Sequence, residues 1–291
     1  MSGIPRPATR GEGWTWSRVA LVATAAVGAS LLLVVAVNRW ATPSDEHAYW
    51  LAAQRLLAGQ PLYDLSASPG TPYAYWYPPV LAQVLAPFTL FTPDLAFTAA
   101  WTVALLGCLY WLADRRLLVA LAMVAFVPVA VELWYRNVHL VLAVMVVLAL
   151  RRSALFWIPA AAIKVTPVIG IAFLVASRRY RDAALVLLVG AAVLAVSVVL
   201  SPDAWFQFVT EVVVRGGTSG SSLVPVPFVI RLLLAVILAA FGGRVGGRRG
   251  EVALVVALAV GNPTLWMTAL SLLIAIVPLW RSAPAPQSGL P

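Results

Sequence analysis

The chain has 291 residues, of which 62% are hydrophobic and only 11% are charged, and its mean hydropathy is +0.92. Water-soluble domains average about 45–50% apolar and about 25% charged residues, so this composition excludes a water-soluble globular protein and a disordered chain. A single cysteine, Cys108, excludes a disulfide-stapled scaffold. We therefore expect one membrane-embedded, all-α polytopic domain over residues 1–291, with the lipid bilayer as its surroundings.

The net charge of +9 comes mainly from arginines that stand between apolar runs. In a water-soluble chain such an excess would indicate a nucleic-acid partner, and here we expect none because short arginine clusters are typical of cytoplasmic loops. The clusters are Arg115-Arg116, Arg151-Arg152, Arg178-Arg179 with Arg181, Arg244 with Arg248-Arg249, and Arg281. Their alternation with apolar runs predicts a multi-pass protein of the plasma membrane. Arginine-rich, lysine-poor usage further favours a bacterial source.

The first apolar run, residues 19–38, carries no charge and has the length of a transmembrane helix, about 20 residues. We interpret it as a retained first span, with residues 1–18 as a cytoplasmic tail. Residues 40–78 are then an external loop. Within it, Thr42-Pro43-Ser44 is a helix-start signal, and the sequence predicts an interfacial helix over residues 45–58 that Gly59 ends.

Later runs pair into hairpins if every arginine cluster is cytoplasmic. Residues 117–150 form one hairpin with its outer turn at 134–137, and residues 183–200 and 222–241 form the helices of a second. The loop 201–221 joins the two helices of this second hairpin. It contains an amphipathic stretch that we expect to lie in the membrane interface: Trp205, Phe206, Phe208 and Val209.

Two breaks interrupt the remaining runs. Residues 250–280 predict two short helices about a break at 261–264, and residues 153–177 predict either one broken span or two half-helices around Lys164. The total expected is about 8 to 10 spans, followed by a tail over residues 282–291.

Nucleotide and metal signatures are missing from the sequence. It has no phosphate-binding glycine loop, and its two histidines, His47 and His139, lack neighbouring cysteines or a zinc motif. We therefore expect neither a cofactor nor a metal.

The external loop carries an ordered pattern: Asp45, Tyr49-Trp50, Ala52-Ala53, Leu62-Tyr63 and Tyr77-Pro78-Pro79. Helical spacing places Asp45, Tyr49 and Ala52 on one face, so that a carboxylate and an aromatic ring would face the same crevice. The pattern resembles the glycosyltransferase C superfamily, and most closely the polyprenol-phosphate-mannose-dependent mannosyltransferases of glycosyltransferase family 87. Lys164-Val165-Thr166-Pro167 resembles the family's Lys-x-Thr-Pro, and Arg178-Arg179 closes that span as in the family.

The resemblance covers residues 40–180 well and the last third of the chain poorly. Where the family often has Gly-Gln-x-Asn, this chain has Arg136-Asn137-Val138-His139, and the late tryptophan, Trp266, has no histidine after it. The resemblance implies a glycosyltransferase C-like fold and transfer of mannose from a polyprenyl-phosphate donor to a lipid or glycan acceptor. It further implies a site facing away from the cytoplasm and inversion at the anomeric carbon.

Candidate site residues follow from the chemistry of this transfer, which needs a base for the acceptor hydroxyl and cations for the departing phosphate. We expect Asp45 to be the base and Lys164, Arg136 and Arg231 to bind the donor phosphate. The candidates for sugar or acceptor contacts are Tyr49, Trp50, Tyr77 and His139.

Each candidate has a structural alternative. Asp45 is also a favourable first-turn carboxylate, and Lys164 is also a residue that snorkels to the interface. Arg231 also fits snorkelling or pairing with Glu132, Arg136 an ordinary interfacial arginine, and His139 a satisfied interior histidine. Glu46 and His47 are expected to be solvated loop residues. The cluster Tyr73, Tyr75, Trp76 and Tyr77 is expected to form an interfacial aromatic belt.

A rival function also fits the sequence. A non-catalytic carrier of lipid-linked sugars, or a structural subunit of an envelope-assembly complex, agrees with the short chain and the missing late histidines. Turnover of a polyprenyl-phosphate sugar distinguishes it from the enzyme.

Overall fold

The computed structural model describes residues 12–39, 42–67, 74–218 and 223–281, and these residues form helices and connections without a β-strand. Their α-helices are, in chain order, α1 Glu12–Arg39, α2 Asp45–Leu57, α3 Pro79–Thr89, α4 Asp94–Leu112, α5 Leu117–Val124, α6 Val127–Tyr135, α7 His139–Arg151, α8 Trp157–Ile163, α9 Gly170–Ala176, α10 Tyr180–Leu200, α11 Pro202–Gln207, α12 Val213–Thr218, α13 Phe228–Val245, α14 Gly247–Val260 and α15 Ile276–Arg281. Short 3-10 segments lie at Ala154–Phe156, Thr166–Ile169 and Met267–Ala275, and a π-helical turn lies at Phe208–Val212.

Four of these helices are long and apolar enough to cross a membrane. They contain Ser17–Arg39, Asp94–Leu112, Tyr180–Leu200 and Phe228–Val245, and the pair α5–α6, bent by 87°, gives a fifth if it counts as one span. Shorter apolar helices supply the remaining membrane-compatible segments. The prediction of an all-α polytopic membrane protein is confirmed, while the expected 8 to 10 spans remain a prediction.

The predicted interfacial helix is present as α2. Ser44 occupies its N-cap with an extended backbone, and Asp45 and Glu46 lie in its first turn, where carboxylates interact favourably with the helix dipole. Ala58 ends the helix, and Gly59 follows with φ +64°, a conformation that costs glycine little.

The two predicted hairpins have different outcomes. Helix α6 ends at Tyr135 and α7 begins at His139, so the observed turn, residues 136–138, overlaps the predicted turn at 134–137, while its placement outside the membrane stays a prediction. The loop predicted over 201–221 is instead mostly helical in its described part, and α13 begins at Phe228 rather than at 222. Pro227 is the N-cap of α13, and a residue that precedes a proline, as Val224 and Val226 do, disfavours helical backbone angles, so the helix does not begin before Phe228.

The amphipathic stretch of that loop is divided between two environments. Phe208 is buried, whereas Phe206 is 70% exposed and Val209 is also exposed. The π-helical turn places the Phe208 side chain in the interior, so the interfacial prediction is wrong for this residue.

Both predicted breaks exist. Lys164 has an extended backbone between α8 and the 3-10 turn that Pro167 helps to start, which makes residues 153–177 a pair of short helices. Residues 261–266 separate α14 from the last helical segments. These breaks matter because irregular backbone at membrane depth is tolerated where it is enclosed by protein or lines a cavity.

Small residues set the closest helix contacts. A β-carbon on Gly28 of α1 would overlap the carbonyl oxygen of Leu121 in α5, and one on Gly242 or Gly250 would overlap the backbone of the other helix at the α13–α14 contact. Glycines at such positions let membrane helices approach closely.

Candidate functional site

A cavity of about 680 Å³ lies where α2, the α6–α7 turn and the two helix breaks meet. Its wall is completed by α13 and by the π-helical turn at Phe208–Val212. Its lining combines polar side chains joined by hydrogen bonds, here called the polar end, with apolar side chains of α13, the π-helical turn and their neighbours, here called the apolar end.

Asp45 stands at the polar end and is oriented by Asn137. The Asn137 side-chain nitrogen donates to Oδ2 of Asp45, while its oxygen accepts from the backbone N–H of Val138 at 2.7 Å and from the Tyr77 hydroxyl at 3.2 Å. Two donors on the amide oxygen fix which way the amide points. Tyr49 extends the network by donating its hydroxyl to that of Tyr77 at 3.0 Å.

Burial dominates the acid–base behaviour of Asp45. It raises the pKa of Asp45 from 3.8 to about 7, with smaller upward contributions from Glu132 and Glu46. The hydrogen bond from Asn137 and the charge of Lys164 act in the opposite direction. A carboxyl group with a pKa near neutrality is suited to general base catalysis, because both protonation states are accessible.

Lys164 supplies the positive charge of the polar end. Its Nζ lies 2.9 Å from Nε2 of His139 and 6.0 Å from the centre of the Tyr77 ring. On the far side of the imidazole, Nδ1 lies 3.1 Å from Oε2 of Glu132, a carboxylate with no exposed surface. Among the described residues that line the cavity, Lys164 is the only lysine or arginine and Asp45 the only carboxylate.

The apolar end is formed largely by a candidate membrane span. Phe228, Leu232 and Val236 of α13 line it, and their spacing of four residues places them on one helix face. Val168 and Val213 also line the cavity. Val236, Val168 and Val213 are 37%, 47% and 45% exposed, so the apolar part of the lining has side-chain surface that an apolar ligand can contact.

The structure brings five of the eight predicted site residues together. They all line the cavity: Asp45, Tyr49, Tyr77, His139 and Lys164. The prediction that Asp45, Tyr49 and Ala52 share a face agrees with this arrangement, since Tyr49 and Ala52 are buried on the side of α2 that faces the interior.

Arg136 does not line the cavity, which corrects its prediction as a phosphate ligand. It is 3% exposed, and its guanidinium donates to Glu46 at 2.7 Å, to the Thr42 carbonyl at 3.1 Å and to the Arg39 carbonyl. The expectation of a solvated Glu46 is also wrong, because its side chain has no exposed surface. Burial raises the pKa of Glu46, and the Arg136 charge opposes that rise.

Arg231 is likewise outside the cavity lining. It donates to the carbonyls of Val226, Val260, Asn262 and Pro263 at 2.6–3.2 Å, which satisfies a stretch of irregular backbone. Pro263 lines the cavity, so Arg231 supports its wall from behind. Its guanidinium is therefore engaged with backbone carbonyls instead of facing the cavity, and it does not pair with Glu132.

Trp50 also points away, donating its indole N–H to the carbonyl of Thr92 at 2.9 Å. Its neighbour His47 lies 2.8 Å from Asp94, and its side chain is only 13% exposed, so the expectation of a solvated loop residue is wrong there too. Trp50 therefore fixes α2 to the start of α4 and does not contact the cavity.

The aromatic cluster is not an interfacial belt. Tyr75 is buried and donates to the carbonyl of Pro78, while Trp76 and Tyr77 line the cavity. Tyr73 lies outside the described residues.

Two functional candidates escaped the sequence analysis, Asn137 and Glu132. Asn137 carried a signal, since it is a polar residue in a short turn between two apolar segments. Glu132 carried another, because a carboxylate within an apolar helix is costly unless it is paired. No group of three or more potential metal ligands is found among the described residues.

A comparison with protein families matches the description "Glycosyltransferase family 87" over residues 75–288. The chain belongs to glycosyltransferase family 87. This match includes the last third of the chain, where we expected a poor resemblance, and it begins after α2, so Asp45 lies outside it. The protein is thus a multi-pass membrane glycosyltransferase. No curated protein and no solved structure matches the chain.

Proposed function

We propose that this glycosyltransferase moves a sugar, by family resemblance mannose, from a polyprenyl-phosphate donor to a lipid or glycan acceptor, on the non-cytoplasmic face of a bacterial plasma membrane. The observation that supports it is the mixed lining of the cavity. A carboxylate, an ammonium and apolar residues of a candidate span all line the same cavity. An amphiphilic donor needs this combination, because its phosphate and sugar are polar and its chain is a hydrocarbon.

The proposed step is a direct displacement. The acceptor hydroxyl attacks the anomeric carbon, its proton passes to Asp45, and the bond between that carbon and the phosphate oxygen breaks. The electron pair of that bond leaves with polyprenyl phosphate, which gains one negative charge. One new glycosidic bond replaces one glycosyl-phosphate bond, so atoms and charge balance.

The charges of the cavity support this chemistry. A donor phosphodiester carries one negative charge before the reaction, and Lys164 is positioned at the polar end to stabilise the second charge as it develops. Asp45 is the only carboxylate among the described lining residues. A direct, inverting displacement needs one base for the acceptor hydroxyl and no carboxylic acid for the departing phosphate, so one carboxylate is sufficient for it.

The membrane orientation rests on the arginine clusters. If they are cytoplasmic, α2 and the α6–α7 turn face outward, and the polar end of the cavity lies at the outer membrane surface. We propose this orientation together with the donor, since lipid-linked sugars are the activated donors available where soluble nucleotides are not.

The decisive assay uses the purified full-length protein in lipid nanodiscs. It is incubated with polyprenyl-phosphate mannose labelled in the sugar, with and without a lipid and glycan extract as the acceptor source. We expect extract-dependent release of polyprenyl phosphate and an equal amount of newly labelled product. GDP-mannose in place of the lipid donor is expected to give no product.

One test variant and one control variant sharpen this assay. Asp64→Asn removes an exposed carboxylate of the same external region and should retain activity, whereas Asp45→Asn should not. Donor binding without turnover by the wild-type protein, under every acceptor condition, would instead support the carrier function.

A further inference from the structure

Glu132, His139 and Lys164 form a continuous chain of polar contacts that ends at the cavity. Nζ of Lys164 lies 2.9 Å from Nε2 of His139, and Nδ1 of the same ring lies 3.1 Å from Oε2 of Glu132. Glu132 has no exposed surface and His139 is 1% exposed, so both are enclosed by protein. Only Lys164 and His139 line the cavity.

Glu132 also caps the start of α7, and this contact fixes the orientation of its carboxylate. Its Oε1 accepts from the backbone N–H groups of His139 at 2.6 Å and Leu140 at 3.4 Å. These are the first two residues of α7, and Val138 at the N-cap offers no side-chain hydrogen bond. Glu132 therefore caps α7 with one oxygen and leaves Oε2 for the imidazole.

The hydrogen-bonding groups on either side of His139 determine which of its ring nitrogens carries the proton. A lysine ammonium has three donors and no acceptor, so Nε2 must accept from it. The carboxylate oxygen on the other side accepts a proton, so Nδ1 must carry one. The neutral tautomer protonated at Nδ1 satisfies both contacts, and the Nε2-protonated tautomer satisfies neither.

We propose that Glu132 is a positioning residue: it holds His139 in the Nδ1-protonated tautomer, and Nε2 of that ring in turn anchors the Lys164 ammonium at the polar end of the cavity. One N–H of Lys164 is used by His139, and the other two are available to a phosphate group. The phosphate ligand rests on the proposed function, whereas the tautomer and the anchoring do not.

Glu132→Gln separates this role from helix capping. The carboxamide oxygen stays with the two backbone N–H groups, so α7 keeps its cap. The carboxamide NH₂ then faces Nδ1 and donates to it, so the ring proton moves to Nε2. There the N–H of the ring and the Lys164 ammonium are both donors, and they repel each other. A capping residue alone would tolerate this substitution, and a positioning residue would not.

The tautomer is measured directly by ¹⁵N NMR of histidine-labelled protein in nanodiscs, without any substrate. The chain has only two histidines, so His47→Gln assigns the His139 signals. We expect a protonated Nδ1 and an unprotonated Nε2 in the wild type, and the reverse in Glu132→Gln. A wild-type His139 that is protonated at Nε2 overturns the proposal even if the variant fails to fold.

The functional consequence is measured as the affinity of the protein for polyprenyl phosphate, without a sugar or an acceptor. We expect Glu132→Gln to weaken its binding by about tenfold or more, the usual size of a lost hydrogen bond to a charged group. Glu251→Gln, a second largely buried glutamate that is paired with Arg151 away from the cavity, should leave both the tautomer and the affinity unchanged.

The possible failures are distinguishable. Unchanged affinity in Glu132→Gln together with a changed tautomer overturns the anchoring of Lys164. A wild-type protein that shows the expected tautomer but does not bind polyprenyl phosphate overturns the proposed donor, and the positioning of the ammonium by Glu132 and His139 stands.

Discussion

Replacing Asp45 by Asn tests the base directly, because an amide keeps the shape of the side chain but cannot accept the acceptor's proton. Asp45 is the first residue of α2 and not its cap, and Ser44 at the N-cap is unchanged by the substitution. The asparagine carbonyl can still accept from Asn137. We expect turnover to fall by about 10²–10⁴-fold, the usual contribution of a positioned acid or base.

The same substitution should not destabilise the protein near pH 8. The pKa of Asp45 rises from 3.8 to about 7 on folding, so the native state binds more protons between these values and loses stability as the pH rises through them. At 1.36 kcal/mol per pKa unit, keeping the buried Asp45 carboxylate ionised above pH 7 lowers the free energy of unfolding by at most about 4 kcal/mol. The neutral asparagine side chain does not carry this cost. The lost interaction with the helix dipole, about 0.3–1 kcal/mol, offsets part of this gain.

Thermal melting in detergent and turnover with the authentic donor measure the two effects on one sample. The expected result is an inactive variant whose melting temperature equals or exceeds that of the wild type at pH 8, with the difference vanishing near pH 4. Normal turnover would show that Asp45 is not the base. The base would then have to be Glu46, His47 or His139, each of which would first have to leave its present partner, Arg136, Asp94 or the Glu132–Lys164 pair respectively.

Four further outcomes are expected. The rate of the wild type should fall as the pH drops through about 7, where Asp45 becomes protonated among Glu46, Glu132 and Lys164, and a flat rate–pH profile down to about pH 5 would contradict this. Lys164→Ala should raise the donor KM far more than Lys164→Arg, since a phosphate needs a nearby cation, and equal small effects would favour snorkelling. Asn137→Ala should move the acidic limb of the rate–pH profile to higher pH, because the Asn137 hydrogen bond lowers the pKa of Asp45. Ser66→Cys in a Cys108→Ser background should react with a membrane-impermeant thiol reagent in intact cells, and protection would contradict the external placement of this exposed residue.

Local signals predicted the elements that local physics controls. Helix α2 follows from a cap, two first-turn carboxylates and a terminating glycine, all within about fifteen residues. Lys164 was conspicuous as the single lysine of the chain, set in an apolar run beside a proline. These features need no knowledge of distant contacts, and the structure places them as predicted.

The partners of the two buried arginines could not be predicted from the sequence. Arg136 and Arg231 both adjoin apolar segments, and only tertiary contacts reveal that carbonyl oxygens already accept from their guanidinium groups. The residues that supply those carbonyls are about 30 to 97 positions away in several cases, a separation at which no sequence period exists. A buried cation in a membrane protein therefore predicts a partner, but its sequence does not say whether that partner is a substrate or the backbone.

The position of the candidate base depends on two consecutive contacts between α2 and a turn about 90 residues later. Asp45 pairs with Asn137, and the next residue, Glu46, pairs with Arg136. A buried ion pair contributes little net stability because desolvation offsets its attraction, but removing one partner costs about 3–5 kcal/mol. The Glu46–Arg136 pair therefore penalises any other docking of α2. Because the two pairs are adjacent in both segments, the docking that satisfies the ion pair also brings the Asp45 carboxylate to the amide that orients it.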